Sequence, residues 1–192
     1  MDEYQLRYER HQERKRQSLM GSFGEPFWEK FTNQDQEVFN KIIKSRRSQR
    51  LFNRDVIDIQ PILNAIDTCP SSCDRKGIKV VVIDKRDDKD LLSGLLVGGV
   101  GWIQRGDKIL LLFADPLAYK AGDEIKFMPY LDAGVVITMT YLAAEVNNIG
   151  CCYVNPNIRE SNKEFFNQRF NTKNHIYCGA LALGKYDLKA KK

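Results

Sequence analysis

The sequence is short of several things, and each shortage narrows what it can do. Its most apolar run, Asp132 to Ala144, is thirteen residues with one charge, where a bilayer needs about 20. No membrane partner is therefore expected. The first residues, MDEYQLRYERHQERKRQ, lack the apolar centre of a signal peptide. Histidine is scarce: His11 lies in that charged stretch and His175 beside an expected strand, which leaves little for a Cys/His nucleophile. The five cysteines, Cys69, Cys73, Cys151, Cys152 and Cys178, contain no CxxC pair. Cys151 and Cys152, adjacent on an expected strand, would face opposite ways, so no metal site is expected. An odd count without a secreted-scaffold pattern points to reduced thiols and a cytoplasmic location. There is no Walker loop and no Gly-rich turn after a strand, so a phosphate here would be held by side chains rather than by a backbone nest. Repeats and low-complexity tracts are also lacking.

What is present reads as one globular domain with a charged arm. The 192 residues, 43% hydrophobic, are enough for a core without staples. A formal charge of +5 suits an anionic ligand without specifying one. Residues 1–25 form the arm. Arg14, Lys15 and Arg16 could touch nucleic acid, but Glu9 and Glu13 dilute the charge and a solvated helix is the expectation. The breaker Gly21–Pro26 separates it from a domain over 26–192. A helix is expected from Phe27, with an apolar face of Val38, Phe39, Ile42 and Ile43, and a short one over Asp58–Asp67. Strands are expected at Ile78–Asp84, Lys108–Phe113, Cys151–Val154 and Ile176–Leu183, and helices at Asp88–Val97 and Glu160–Phe170. A loop over Asp115–Met128 leads to the run from Asp132, which is apolar on nearly every face and so must be a buried central helix. Asp132 can cap it or complement its dipole, and Gly150 ends it. Strands alternating with helices argue for a layered α/β or α+β domain.

Chemistry concentrates at Arg46, Arg47, Ser48 and Arg50, where a helix passes into a loop. Guanidiniums this close repel one another unless an anion sits among them, and Arg forks bind phosphate oxygens bidentately. The alternative is a solvated helix end paired with Asp55 or Asp58. Trp102 and Phe127 could wall a substrate pocket or simply pack.

The order of segments adds to this. A stretch RRSQR after a helix, then a PSS loop before a strand, then a long apolar helix leading through Gly into a strand, resembles the nitroreductase family from about Val38 to Tyr186. That resemblance implies an α+β layered fold, with a central, mostly antiparallel sheet flanked by helices and a long buried central helix. It also implies a homodimer with FMN at the subunit interface. Arg46, Arg47, Ser48 and Arg50 would hold the FMN phosphate and ribityl chain. Pro70, Ser71, Ser72 and Asp74 would reach the flavin across the interface, and Asn155, Pro156 and Asn157 would lie over its ring. The implied activity is hydride transfer from NAD(P)H to a small organic acceptor, a quinone or nitroaromatic, in ping-pong order. A specialised flavin reaction (dehydrogenation, dehalogenation) or a scaffold that lost its cofactor are the alternatives. The chain departs from the family pattern in three places. Asp74 stands where Asn is usual, which should disfavour the reduced flavin. Lys76-Gly77 replace Gln-Pro. The tail ends soon after Gly184, leaving Lys189 and Lys191 as the basic residues that could return to the phosphate.

Overall fold

The computed structural model describes residues 3–20, 30–120 and 122–191. It comprises two compact units, Met1–Glu37 and Val38–Lys192. The first carries helix α1, Glu3–Met20. Its basic cluster is partly neutralised along the helix itself, since Arg16 pairs with Glu13 at 2.9 Å. The breaker over 21–26, the expected boundary at residue 25 and the helix start at Phe27 lie outside the described residues. Helix α2 spans Asn33–Ser45. It opens on a reciprocal cap: the Thr32 N–H donates to the Asp35 carboxylate at 2.7 Å, and the Asp35 N–H to the Thr32 hydroxyl at 3.2 Å.

The second unit is built on one four-stranded antiparallel sheet in the order β1-β2-β4-β3. The strands are β1 Ile78–Ile83, β2 Lys108–Ala114, β3 Gly150–Val154 and β4 Ile176–Gly184. Strand β2 explains the layering. Leu110, Leu112 and Ala114 face one core, while Ile109, Leu111 and Phe113 face another. A strand apolar on both faces requires cover on both. Helices α3 (Gln60–Asp67) and α5 (Glu124–Val146) cover the first face. Helices α4 (Arg86–Leu95) and α6 (Glu160–Phe170) cover the second. In β4 the alternation slips: Cys178 and Leu181 share one core and Ala180 and Ala182 the other. An extra residue causes it, because Leu112 pairs with Gly179 but Phe113 with Tyr177. Gly179 takes φ +117° there, and a Cβ would fall 2.5 Å from the Tyr153 ring.

The central helix differs from the sequence expectation. It runs over Glu124–Val146, so the last part of the expected loop, 124–128, is helical, and Pro129 lies inside the helix. Asp132 is therefore no cap. It is buried mid-helix, where it accepts from the Ser72 N–H at 3.0 Å, the Ser72 hydroxyl at 2.8 Å and the Tyr119 hydroxyl at 3.1 Å. By length and composition alone α5 could cross a membrane. A buried carboxylate fixed by three donors, and packing of Ala133, Val136 and Ala144 on the sheet, make it the core helix of this unit.

Candidate cofactor site

Residues Ser48 and Gln49 run alongside β3. Ser48 bridges Cys151 in parallel sense, and the Gln49 N–H donates to the Cys151 carbonyl at 2.9 Å. Extended backbone sends alternate side chains to opposite sides, and the contacts follow that rule. Gln49 turns inward, 3% exposed. Its amide donates to the carbonyls of Leu51 (3.0 Å) and Leu188 (2.7 Å) and accepts from the Ala190 N–H at 2.9 Å. That one side chain ties the C-terminal tail to the RRSQR stretch and brings Lys189 back to it. Lys191 is exposed beyond this clamp.

Ser48 and its arginines line a row of aromatic side chains. The Arg46 guanidinium lies 5.0 Å from the centre of the Tyr141 ring, and that of Arg50 5.6 Å from the Trp102 ring. Such stacking is favourable for a planar, weakly hydrated cation. The Tyr141 hydroxyl accepts from the Tyr153 N–H at 2.8 Å and lies 3.2 Å from the Ser48 hydroxyl. Tyr141 can thus donate to Ser48, leaving Ser48 to donate outward. Among the described residues neither Arg46 nor Arg50 forms an ion pair with a carboxylate. Asp55 instead accepts from Asn53, and Asp58 from the Gln60 N–H, so the pairing alternative read from sequence is not what forms. Arg47 turns away to the carbonyls of Lys44 and Arg46, at the end of α2.

Trp102 and the predicted turn Asn155-Pro156-Asn157 complete this row. The Trp102 indole donates to the Gly98 carbonyl at 2.9 Å. The turn Asn155-Pro156-Asn157 is exposed and docks beside it, with the Val97 N–H donating to the Asn157 carbonyl at 3.1 Å. At Gly98 a Cβ would meet Val154 at 3.1 Å and the Asn155 side-chain oxygen at 3.9 Å. The row therefore runs from Arg46 over Tyr141 and Ser48 to Arg50, Trp102 and Asn155.

The PSS loop lies elsewhere in the chain. Ser72 is held by Asp132, and from there to the Arg46 end α5 rises about 20 Å. Ser71 accepts from the Lys76 N–H at 2.9 Å. Cys73, Asp74 and Lys76 all have φ near +50°, which pushes the loop outward after Pro70. The Asp74 side chain is 81% exposed and pairs with Lys76 at 3.2 Å. Phe127, half exposed, belongs to this same end of α5.

No family model and no curated protein matches the chain by sequence. Solved structures do match it. A protein named a nitroreductase from Desulfovibrio desulfuricans, in complex with FMN, superposes with a TM-score of 0.69 at 19% identity, over 80% of this chain and 89% of that one. An FMN-dependent nitroreductase from Clostridium difficile gives 0.68 at 18%, over 79% and 90%. A nitroreductase family protein from Streptococcus pneumoniae gives 0.68 at 17%, over 80% and 93%. This is the nitroreductase fold. The resemblance read from motif order is thus matched by the course of the backbone.

On the nitroreductase fold, the donor set along β3 suits a phosphorylated planar ligand. Arg46, Arg50 and Ser48 offer charged and neutral donors without competing acids of their own, and Tyr141 and Trp102 keep the guanidiniums flat. Sequence reasoning missed Tyr141, Cys152 and Glu145. Burial pushes the Cys152 thiol up, against the opposing pull of Arg50, so it stays protonated at neutral pH. Tyr141 is likewise pushed up by burial and remains a phenol. The signal available was Tyr141 and Glu145, spaced i, i+4 on an otherwise apolar helix.

Proposed function

We propose that the protein is an FMN-dependent oxidoreductase that takes hydride from NAD(P)H and reduces a small organic acceptor of the quinone or nitroaromatic type. The observation that carries this reading is the row of Arg46, Arg50 and Ser48 along β3, whose arginines form no ion pair with a carboxylate among the described residues, on a fold whose FMN-bound neighbour spans nearly the same length. FMN, when bound, supplies the two-electron chemistry. The chain's own residues bind and orient. Arg46, Ser48 and Lys189 would hold the phosphate, Arg50 the ribityl region, and Trp102 with the Asn155–Asn157 turn would border the ring. Reductant and acceptor would use the same face in turn, so double-reciprocal plots should be parallel.

The PSS loop enters this site only from a second copy, and the surface supports a homodimer. Phe127, Tyr130 and Leu131 of α5, and Val38, Phe39 and Ile43 of α2, are exposed in a single chain. Apolar helix faces of this extent are ordinarily covered. Five free thiols, four of them buried, suit a cytoplasmic setting.

The test is an absorbance and fluorescence titration with FMN, followed by anaerobic addition of NAD(P)H. Native protein should bind FMN and bleach with the reductant. Arg46→Ala should weaken FMN binding roughly tenfold or more, the worth of a charge-assisted hydrogen bond. Absence of binding, or indifference to the substitution, would reject the reading.

A further inference from the structure

One acid of the chain itself lies at the phosphate end of this row. Glu145, in the last turn of α5, accepts from the Ser45 hydroxyl at 2.5 Å and from Lys189, whose backbone is held in place by the Gln49 clamp. The Glu145 side chain is 12% exposed, against 37% for Lys189. Burial alone would raise the Glu145 pKa, but hydrogen bonds from Lys189 and Ser45 and the nearby charges of Lys189 and Arg46 outweigh it. The carboxyl is therefore ionised at neutral pH. The cavity that Arg46, Tyr141, Glu145, Gly150 and Lys189 enclose is about 10 Å³, room for no more than one water. While Lys189 stays on Glu145, much of its charge is already neutralised there.

We propose that Glu145 is a built-in competitor for Lys189 that lowers the affinity of the anion site for a phosphate. The proposal rests on the reading of the row as a phosphate site. Its physical basis is competition for one ammonium. A monoanion or neutral ligand offers Lys189 no more charge than Glu145 already does, and leaving the carboxylate exposes it to the newcomer. A phosphate monoester near neutral pH carries close to two charges and three acceptor oxygens, enough to take the lysine over while Ser45 keeps its bond to Glu145. Arg46, stacked on Tyr141 beside both, serves either anion. Glu145 thus sets how tightly the site holds a phosphate, while the arginines attract any anion.

The experiment compares native protein, Glu145→Gln and Lys189→Met as full-length chains. FMN and riboflavin are titrated by fluorescence, and inorganic phosphate by thermal shift. Glu145→Gln should tighten FMN about tenfold and leave riboflavin unchanged, narrowing no contact to the ring. Lys189→Met should weaken FMN by a similar factor, again without affecting riboflavin, and it keeps the test informative if Glu145→Gln folds poorly. Equal effects on FMN and riboflavin, unchanged FMN affinity in both variants, or weaker FMN binding in Glu145→Gln would each overturn the competition. If no form binds either flavin, the cofactor reading fails. Competition for Lys189 then stands only if phosphate stabilises Glu145→Gln more than the native chain, and falls if it does not.

Discussion

Two of the three carboxylates of helix α5, Asp132 and Glu145, lie thirteen residues apart and are handled in opposite ways. Asp132 is buried and bonded only by neutral donors, two from Ser72 and one from Tyr119. Glu145 is bonded by a lysine and a serine and lies close to an arginine. Neutral donors fixed by the backbone and the core leave Asp132 nothing to exchange, so it can only hold the PSS loop to the helix. A flexible lysine on a tail segment can be exchanged, so Glu145 can respond to what arrives. The contrast shows why one acid of a helix can serve structure at its middle while another, in its last turn, is open to exchange.

The largest effect should come from breaking the neutral end. Asp132→Ala would leave the Ser72 N–H and the Tyr119 hydroxyl unpaired in the interior, costing about 3 kcal/mol and roughly 10 °C in Tm. Thermal melts will show it, and Asp132→Asn should recover part of the loss because its carbonyl oxygen still accepts. A loss below about 0.5 kcal/mol would mean that the loop is not held there. At the other end, Gln49→Ala should cost about 1.5 kcal/mol, since it removes three bonds to backbone, two of them to the tail. Faster amide exchange at Ala190, with the core amides unaffected, is the specific signature. Exchange rates equal to those of the native chain would show that the tail docks without its clamp.

Acid should give the smallest effect. Glu145 has its folded pKa lowered from an ordinary value of 4.5. Its contribution is therefore fully present above that value and is lost as pH falls through the lower folded value. Because Lys189 is more than a third exposed, solvent screens the pair, and the contribution should not exceed about 1 kcal/mol. Urea unfolding of native and Glu145→Gln chains from neutral pH down to about pH 3 should show the difference between them shrinking to nothing. A difference that persists in acid would mean that packing, not charge, distinguishes the two.

Much of the fold could be read from periodicity. The β-branched run after the PSS loop and the run KILLLF became β1 and β2, because such residues fit a pleated surface whatever their neighbours. Boundaries failed where a local rule was overridden. The stretch up to Met128 reads as a loop, yet the helix begins at Glu124 and carries Pro129 inside it, because packing on the sheet outweighs one missing N–H. For the candidate site the sequence shows the residue types at Arg46, Ser48 and Arg50, whose density suits an anion.

Alternation along β3 alone separated Arg47 and Gln49 from that set, and only the fold showed that Gln49 returns Lys189 to Glu145. The sequence by itself determined which segments pair and bury, since propensity and periodicity act over a few neighbouring residues. Tertiary structure decided which charges meet, because Ser45, Glu145 and Lys189 are brought together by three elements distant in the chain, and no local rule records that distance.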